Sequence, residues 1–334
     1  MKTKHIYFIL CVFLAFSFAR CTEGIFDFDQ EQYKKTVYIM SNNAMIYDRM
    51  TADLDKSEDT LYITVGVGGT LATTEDIAFT LEPGDSLFKA YNKSNFDIDS
   101  ASYARLLPSE NYTIPLLDGV IKAGENTAII PVYLKKLDRL SPDSIYFLDY
   151  KIKQLNKFEI NKDKKESLFR IHWKNKWSET KNVPIYSVMA QKWTENKIWS
   201  ASLNDSIYQS NNDTSKISAS PKIFPLGKNK VRVAAGSEKS GTLQEINSNS
   251  IMLEITENND VIIKPYQSIY VEQINGNTEY CNKYIDEKIV TPGGKCTYYK
   301  TFMLHYRYKT TGASNKWIRM QERLRLQYNP LADK

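Results

Sequence analysis

The run Leu61-Tyr62-Ile63-Thr64-Val65-Gly66-Val67 alternates with the period of a strand, placing Leu61, Ile63, Val65 and Val67 on one face, and stops at Gly68-Gly69. Similar runs recur roughly every ten residues with turn residues between them. Ile77 to Leu81 ends at Pro83-Gly84. Tyr112 to Pro115, Gly119 to Ile121 and Ala128 to Leu134 follow, with Ala123-Gly124-Glu125-Asn126 as a turn, and Ser141-Pro142-Asp143 introduces Tyr146 to Ile152. Leu87 to Tyr91 and Tyr103 to Leu107 lack alternation and predict short helical turns. Repeated short strands predict an antiparallel sandwich. No long helix alternates with the strands, which excludes a doubly wound α/β fold. The 22 tyrosines, 14 phenylalanines and 5 tryptophans suit pleated strands.

The fold class is therefore all-β, with two units. Thr36 to Met40 opens an antiparallel β-sandwich over residues 33–173, closed by Leu168 to Trp173. Residues 174–184 read as a linker. Residues 185–330 read as a second antiparallel β-domain, a meander that closes as a barrel or a two-sheet sandwich. Its runs are Ile185 to Ala190, Val231 to Ala234, Ile251 to Thr256, Val261 to Lys264, Thr301 to Tyr308 and Trp317 to Leu326, with Glu257-Asn258-Asn259-Asp260 as a hairpin turn. The Ser/Asn/Asp-rich stretch 202–220 predicts a long surface loop.

Lys2 and Lys4 precede an apolar run from Ile6 to Phe16, so residues 1–20 read as an export signal. Cleavage before Cys21 would leave a lipid-anchored cysteine, with residues 21–32 as a tether. Arg20 sits where a small residue is usual, and cleavage after Ala19 would instead release a soluble protein. Removing Lys2, Lys4 and Arg20 takes the formal charge from +5 to +2, divided as −4 over residues 21–182 and +6 over 183–334. The basic residues do not cluster in sequence, which argues against a nucleic-acid partner.

Cys281 and Cys296 flank Pro292-Gly293-Gly294 and predict a disulfide stapling a hairpin, with two unpaired thiols as the alternative. Only His172 and His305 remain in the mature chain, too few for a zinc site, so no metal or cofactor is expected. No nucleophile elbow, HExxH helix or dinucleotide fingerprint occurs. Gly24-Ile25-Phe26-Asp27-Phe28-Asp29-Gln30-Glu31 is superficially similar to the acidic strand of chitinase-type hydrolases, but an extra residue breaks the spacing and a solvated tether is expected. Four of the five tryptophans fall within residues 173–199. Trp193 and Trp199 lie among Gln, Lys, Thr, Glu and Asn, a setting for a loop-borne aromatic platform that stacks on sugar C–H groups. Trp317 and Trp177 are further candidates, and Trp173, ending an apolar run, reads as core.

Gly68-Gly69-Thr70-Leu71, Tyr91-Asn92, Leu106 to Tyr112, Ala123-Gly124-Glu125, Leu140 to Leu148 and Lys174-Asn175-Lys176 appear in an order that resembles the two-domain surface lipoproteins of Bacteroidetes, a group of unknown function. Phe224-Pro225-Leu226, Val231 to Gly236 and His305-Tyr306-Arg307-Tyr308 are similar to the same group's C-terminal domain. The resemblance implies an immunoglobulin-like β-sandwich followed by a second β-domain, in an outer-membrane lipoprotein of a glycan-utilisation system with a SusC/SusD-type transporter as partner. The group's N-terminal domain also occurs in front of endo-glycosidases acting on N-glycans. The function expected is non-catalytic glycan capture by aromatic stacking. A pilus-like structural or adhesin role is the alternative, and a cryptic glycosidase a further one.

Overall fold

The computed structural model describes residues 30–311 and 316–331. The signal segment and Cys21 lie outside the described residues. In the first half the strands are β1 (Thr36–Ile39), β2 (Ile46–Asp53), β3 (Glu58–Gly68), β4 (Ile77–Pro83), β5 (Arg105–Leu106) and β6 (Tyr112–Thr113). They continue with β7 (Asp118–Ile121), β8 (Thr127–Lys135), β9 (Tyr146–Leu155), β10 (Glu159–Ile160) and β11 (Glu166–Lys174). One sheet has the order β10-β1-β3-β8-β6 and the other β2-β11-β9-β4-β7, with β5 also on β9. The alternation in β3 is realised: Ile63 and Val65 are fully buried while Tyr62 faces out. Across the core they meet Ile77, Phe79, Leu81, Phe169 and Ile171 of the second sheet.

Helix α1 (Ser86–Phe96) covers the outside of that second sheet through Leu87, Phe88, Tyr91 and Phe96 packed on Phe147 and Leu168. It confirms the helical reading at 87–91. Residues 103–107 instead carry β5, because Asn92 captures the backbone of Ala104 on both sides (2.8 and 3.1 Å) and Arg105 N–H bonds Ile145 O. The first N–H groups of a helix lack intrahelical partners. Here Glu166 accepts from Leu87 N–H (3.1 Å) and the Ser86 hydroxyl (2.8 Å), and Asp149 accepts from Phe88 N–H (3.3 Å). Burial, and then the neighbouring Glu166, push the Asp149 carboxyl up to about 7. A raised acid is held protonated by the folded state. Its stabilising contribution is complete below the ordinary carboxylate range and is lost as pH rises towards 7. Asp149→Asn is therefore expected to raise Tm at about pH 8 and to flatten the fall of Tm between about pH 4 and 7. Parallel wild-type and variant profiles over that window would contradict this.

In the second half the strands are β12 (Ser187–Ser200), β13 (Asp205–Ala219), β14 (Phe224–Gly227), β15 (Lys230–Ala234) and β16 (Ser250–Ile255). They continue with β17 (Val261–Pro265), β18 (Tyr270–Gln273), β19 (Lys283–Val290), β20 (Cys296–Lys309) and β21 (Lys316–Tyr328), and a short helix α2 (Leu243–Asn249) precedes β16. The larger sheet runs β13-β12-β21-β20-β18, with β19 also on β20, and the smaller runs β14-β15-β16-β17. Val188, Phe302, Leu304, Tyr306, Met320 and Leu324 of the first pack on Val231, Val233, Ile251, Leu253 and Ile263 of the second. Two stacked sheets therefore resolve the choice that the sequence left open.

Two expectations are corrected here. Residues 202–220 are not a loop: apart from the turn at 201–204 and the stretch after Ala219 they form β13, hydrogen-bonded along β12. Cys281 and Cys296 are free thiols, not a disulfide. They do flank a hairpin, but Val290 pairs with Cys296 and Lys283 with Met303. Cys296 thus stands by the turn while Cys281 precedes the far end of β19, and a strand of that length separates them by about 25 Å. A disulfide tolerates no more than about 7 Å between Cα atoms.

Polar contacts join the halves. Asn175 Nδ2 donates to Gly227 O (2.8 Å) and Lys230 O (3.0 Å), and Trp173 Nε1 donates to Pro225 O (3.4 Å). Arg232 is 2% exposed and makes a two-pronged bond to Asp143, with Nη2 to Oδ1 at 2.6 Å.

Candidate ligand-binding face

The sheet face opposite the second core receives alternate side chains of β12, β18, β20 and β21. Registered rows cross it. Trp193, Arg319, Arg307 and Glu272 form one. Gln191, Gln321 and His305 form the next, followed by Met189, Arg323, Met303 and Lys283. Each of the last two rows is buried at one position, half-buried on β21 and open at an end: His305 is 7% and Met303 8% exposed, whereas Met189 is 63% exposed and Gln191 and Lys283 are open to solvent. The face is a trough.

Its cause is curl. Tyr208 of β13 donates its hydroxyl hydrogen bond to Glu272 of β18 at 2.6 Å, although β12, β21 and β20 lie between them in the sheet. In a flat sheet four strand spacings would hold these backbones about 19 Å apart. The edges therefore bend towards each other over the face, and Lys197 reaches the same carboxylate at 3.5 Å. Trp317 lies beneath this closure, only 6% exposed, edge-on to Tyr208 at 5.4 Å and with Lys197 and Lys309 over its ring. It is an internal strut, which corrects the expectation of an exposed platform.

Charged groups line the trough beside the closure. Glu195 is 2% exposed, lies 3.1 Å from Arg307 Nε and 3.5 Å from Arg319 Nε, and accepts from the Ser210 hydroxyl. The Arg319 guanidinium stacks 4.3 Å from the Trp193 ring centre, and that of Arg307 lies 3.6 Å from Tyr208. Among the described residues, His305 has no hydrogen-bond partner on either ring nitrogen. Burial, then the nearby Arg319 and Arg307, push its imidazole down to about 4, so it is neutral at pH 7. A neutral imidazole offers one donor and one acceptor.

The four candidate tryptophans thus separate by environment. Trp193 and Trp199 are on β12, a rigid strand and not the expected loop. Trp193 is half-buried beside Arg319, and Trp199 is 64% exposed, six residues on, past the Tyr208 closure and about 20 Å away. Trp177 is 7% exposed and belongs to the junction between the halves. Its backbone N–H donates to Asn175 Oδ1 (3.0 Å), its backbone carbonyl accepts from the Tyr186 hydroxyl (2.9 Å), and its ring stands edge-on to Tyr284. It too is a structural strut and not a platform, although it borders a polar cleft of roughly 640 Å³ with Asp53, Asp55, Asp286 and Tyr328. Arg307, Arg319, Glu195, Tyr208 and His305 escaped the sequence reading. The available signal was the alternation of apolar residues with Arg, Lys and Glu in 301–308 and 317–326.

Glu31, the last acid of the hydrolase-like segment, also has a structural duty. Its carboxylate pairs with Lys35 (2.6 Å) and accepts from Thr70 N–H (2.5 Å) and Leu71 N–H (3.2 Å), clamping the chain start to the turn after β3. Lys35 first, then Thr70, hold it at about 2.

Two domain-family models match the chain, an N-terminal domain over residues 33–159 and its C-terminal counterpart over residues 165–325. No curated protein matches it. Among solved structures, a Bacteroides ovatus protein of unknown function is similar at 12% identity, with TM-score 0.61 over 88% of this chain and 95% of its own. A Bacteroides ovatus multidomain protein containing a domain of unknown function gives TM-score 0.60 at 12% identity, covering 89% and 95%. An auxiliary nutrient binding protein from Bacteroides thetaiotaomicron gives TM-score 0.56 at 10% identity, covering 86% and 92%. These likenesses concern the fold.

Proposed function

We propose, from the premise that the chain belongs to the two-domain family these N- and C-terminal models describe, known from Bacteroides structures of unknown function, that it is a non-catalytic glycan-binding protein of a polysaccharide-utilisation system. The observation that carries this is the trough, with a half-buried indole and guanidinium groups held on paired strands, and a second, open indole on the same strand. Indole faces take the C–H side of a sugar, and polar groups held at fixed positions orient its hydroxyls. The auxiliary nutrient binding protein of similar fold supports the reading. In this proposal Cys21 carries the lipid, the protein is displayed at the outer surface, and a SusC/SusD-type transporter receives the glycan.

Affinity electrophoresis and glycan arrays test it. Trp193→Ala and Trp199→Ala are each expected to weaken retention about tenfold, the loss of a single aromatic contact worth about 1.4 kcal/mol. A purified protein retained by no glycan on a broad array would sink the reading.

A further inference from the structure

We propose that the saccharide taken by the trough is anionic, with a carboxylate held by Arg323 beside the row that contains His305. The inference rests on the glycan reading above and names its ligand class.

Along β21, Arg319, Gln321, Arg323 and Arg325 occupy successive outward positions, and Arg307 is the partner of Arg319 on β20. The carboxylates opposing them are committed. Glu287 pairs with Arg325. Glu272 serves Arg307 (3.6 Å), Lys197 and Tyr208 together. Glu195 lies between Arg307 and Arg319, meeting the second only through Nε at 3.5 Å. Arg323 joins no ion pair among the described residues, and its Nη2 contacts the Met189 sulfur at 3.4 Å. The trough therefore carries cation in excess, concentrated on a strand with its neighbours in fixed register.

Between the Arg319 and Arg323 rows sits His305, more than nine-tenths buried, with both nitrogens unpartnered among the described residues. Buried polar groups in folded proteins are nearly always paired, so an imidazole left bare marks a hydrogen-bond position that something else fills. The two neighbouring arginines disfavour a third cation there, and a neutral imidazole suits an oxygen of an anionic sugar, donating to its carboxylate or accepting from its hydroxyl. Guanidinium groups match carboxylates through paired N–H donors. Trp193, stacked on Arg319, supplies the apolar surface beside them. A uronic or sialic acid combines these demands in one unit: a carboxylate, hydroxyls and a C–H face.

The test uses the full mature chain against polygalacturonate, hyaluronan and sialylated N-glycans, each beside its carboxyl-reduced or desialylated counterpart. At least one acidic probe is expected to be retained about tenfold more tightly than its neutral counterpart, the effect of a hydrogen bond to a charged group, with a preference that shrinks as salt rises. Arg323→Gln is expected to abolish most of that preference, and Arg323→Lys to keep part of it. Equal retention of acidic and neutral partners, or retention of neutral probes alone, would overturn the anionic class and leave the glycan reading standing. Retention of no probe would overturn the anionic class, and a blank broad neutral array as well would overturn both.

Discussion

Asp143→Ala is expected to destabilise the protein by about 3–5 kcal/mol, because it leaves the buried Arg232 guanidinium without its counter-ion. Arg232 sits between the rings of Phe224 (4.6 Å) and Tyr266 (5.0 Å), with 2% of its surface exposed, so little water can replace the carboxylate. The pair also crosses from the turn before β9 in the first half to β15 in the second. Its loss should lower Tm by about 10 °C and separate the unfolding of the halves into two transitions by calorimetry. Asp143→Leu combined with Arg232→Met should recover most of the loss, since removing both charges spares the desolvation cost of each. A Tm unchanged in the alanine variant would show that the halves do not depend on this pair.

Trp317→Ala is expected to cost about 3–5 kcal/mol, the usual price of removing an enclosed tryptophan. The ring carries Tyr208, Lys197 and Lys309, so its removal should also open the contact between Tyr208 and Glu272. Trp199→Ala provides the contrast. With 64% of that residue exposed, its stability effect should stay within about 0.5 kcal/mol while glycan retention falls. Denaturant titrations of the two variants separate strut from platform, and equal destabilisation would contradict the assignment of Trp199.

Local pattern revealed the strands whose two faces see different surroundings. Leu61 to Val67 and Ala128 to Leu134 alternate because one face packs in the sandwich, and both form long paired strands. β13 was hidden because Ser210, Ser215 and Ser218 contribute backbone pairing to β12 with little apolar alternation to signal it. The cysteines misled because a hairpin was visible in the sequence but its register was not. Among the tryptophans, sequence context identified Trp193 and Trp199 by their polar neighbours. It could not separate Trp317 from them, because Trp317 is enclosed by residues of β12, β13 and β20. That enclosure comes from the curl of a whole sheet, a property of no single segment. The arginine row was hidden for the same reason: Arg307 and Arg319 become neighbours only through the pairing of β20 with β21.

Both halves are completed by their last long strands. β2 pairs in parallel with β11, more than a hundred residues later, and β12 pairs with β21 across a similar interval. Such distant pairings make folding slow, because the intervening chain must be confined before the contact forms. A chain that emerges N-terminus first would hold β2 in waiting until residue 174 has appeared, and the edge of β12 away from β13 until the end of β21. The exposed margins of these early strands are then the segments most in need of protection from aggregation. Truncation shortly before the C-terminus would remove the strand that seats Trp193 and Glu195 in register, so a shortened product should lack the second domain's larger sheet while the first domain could still close on its own last strand.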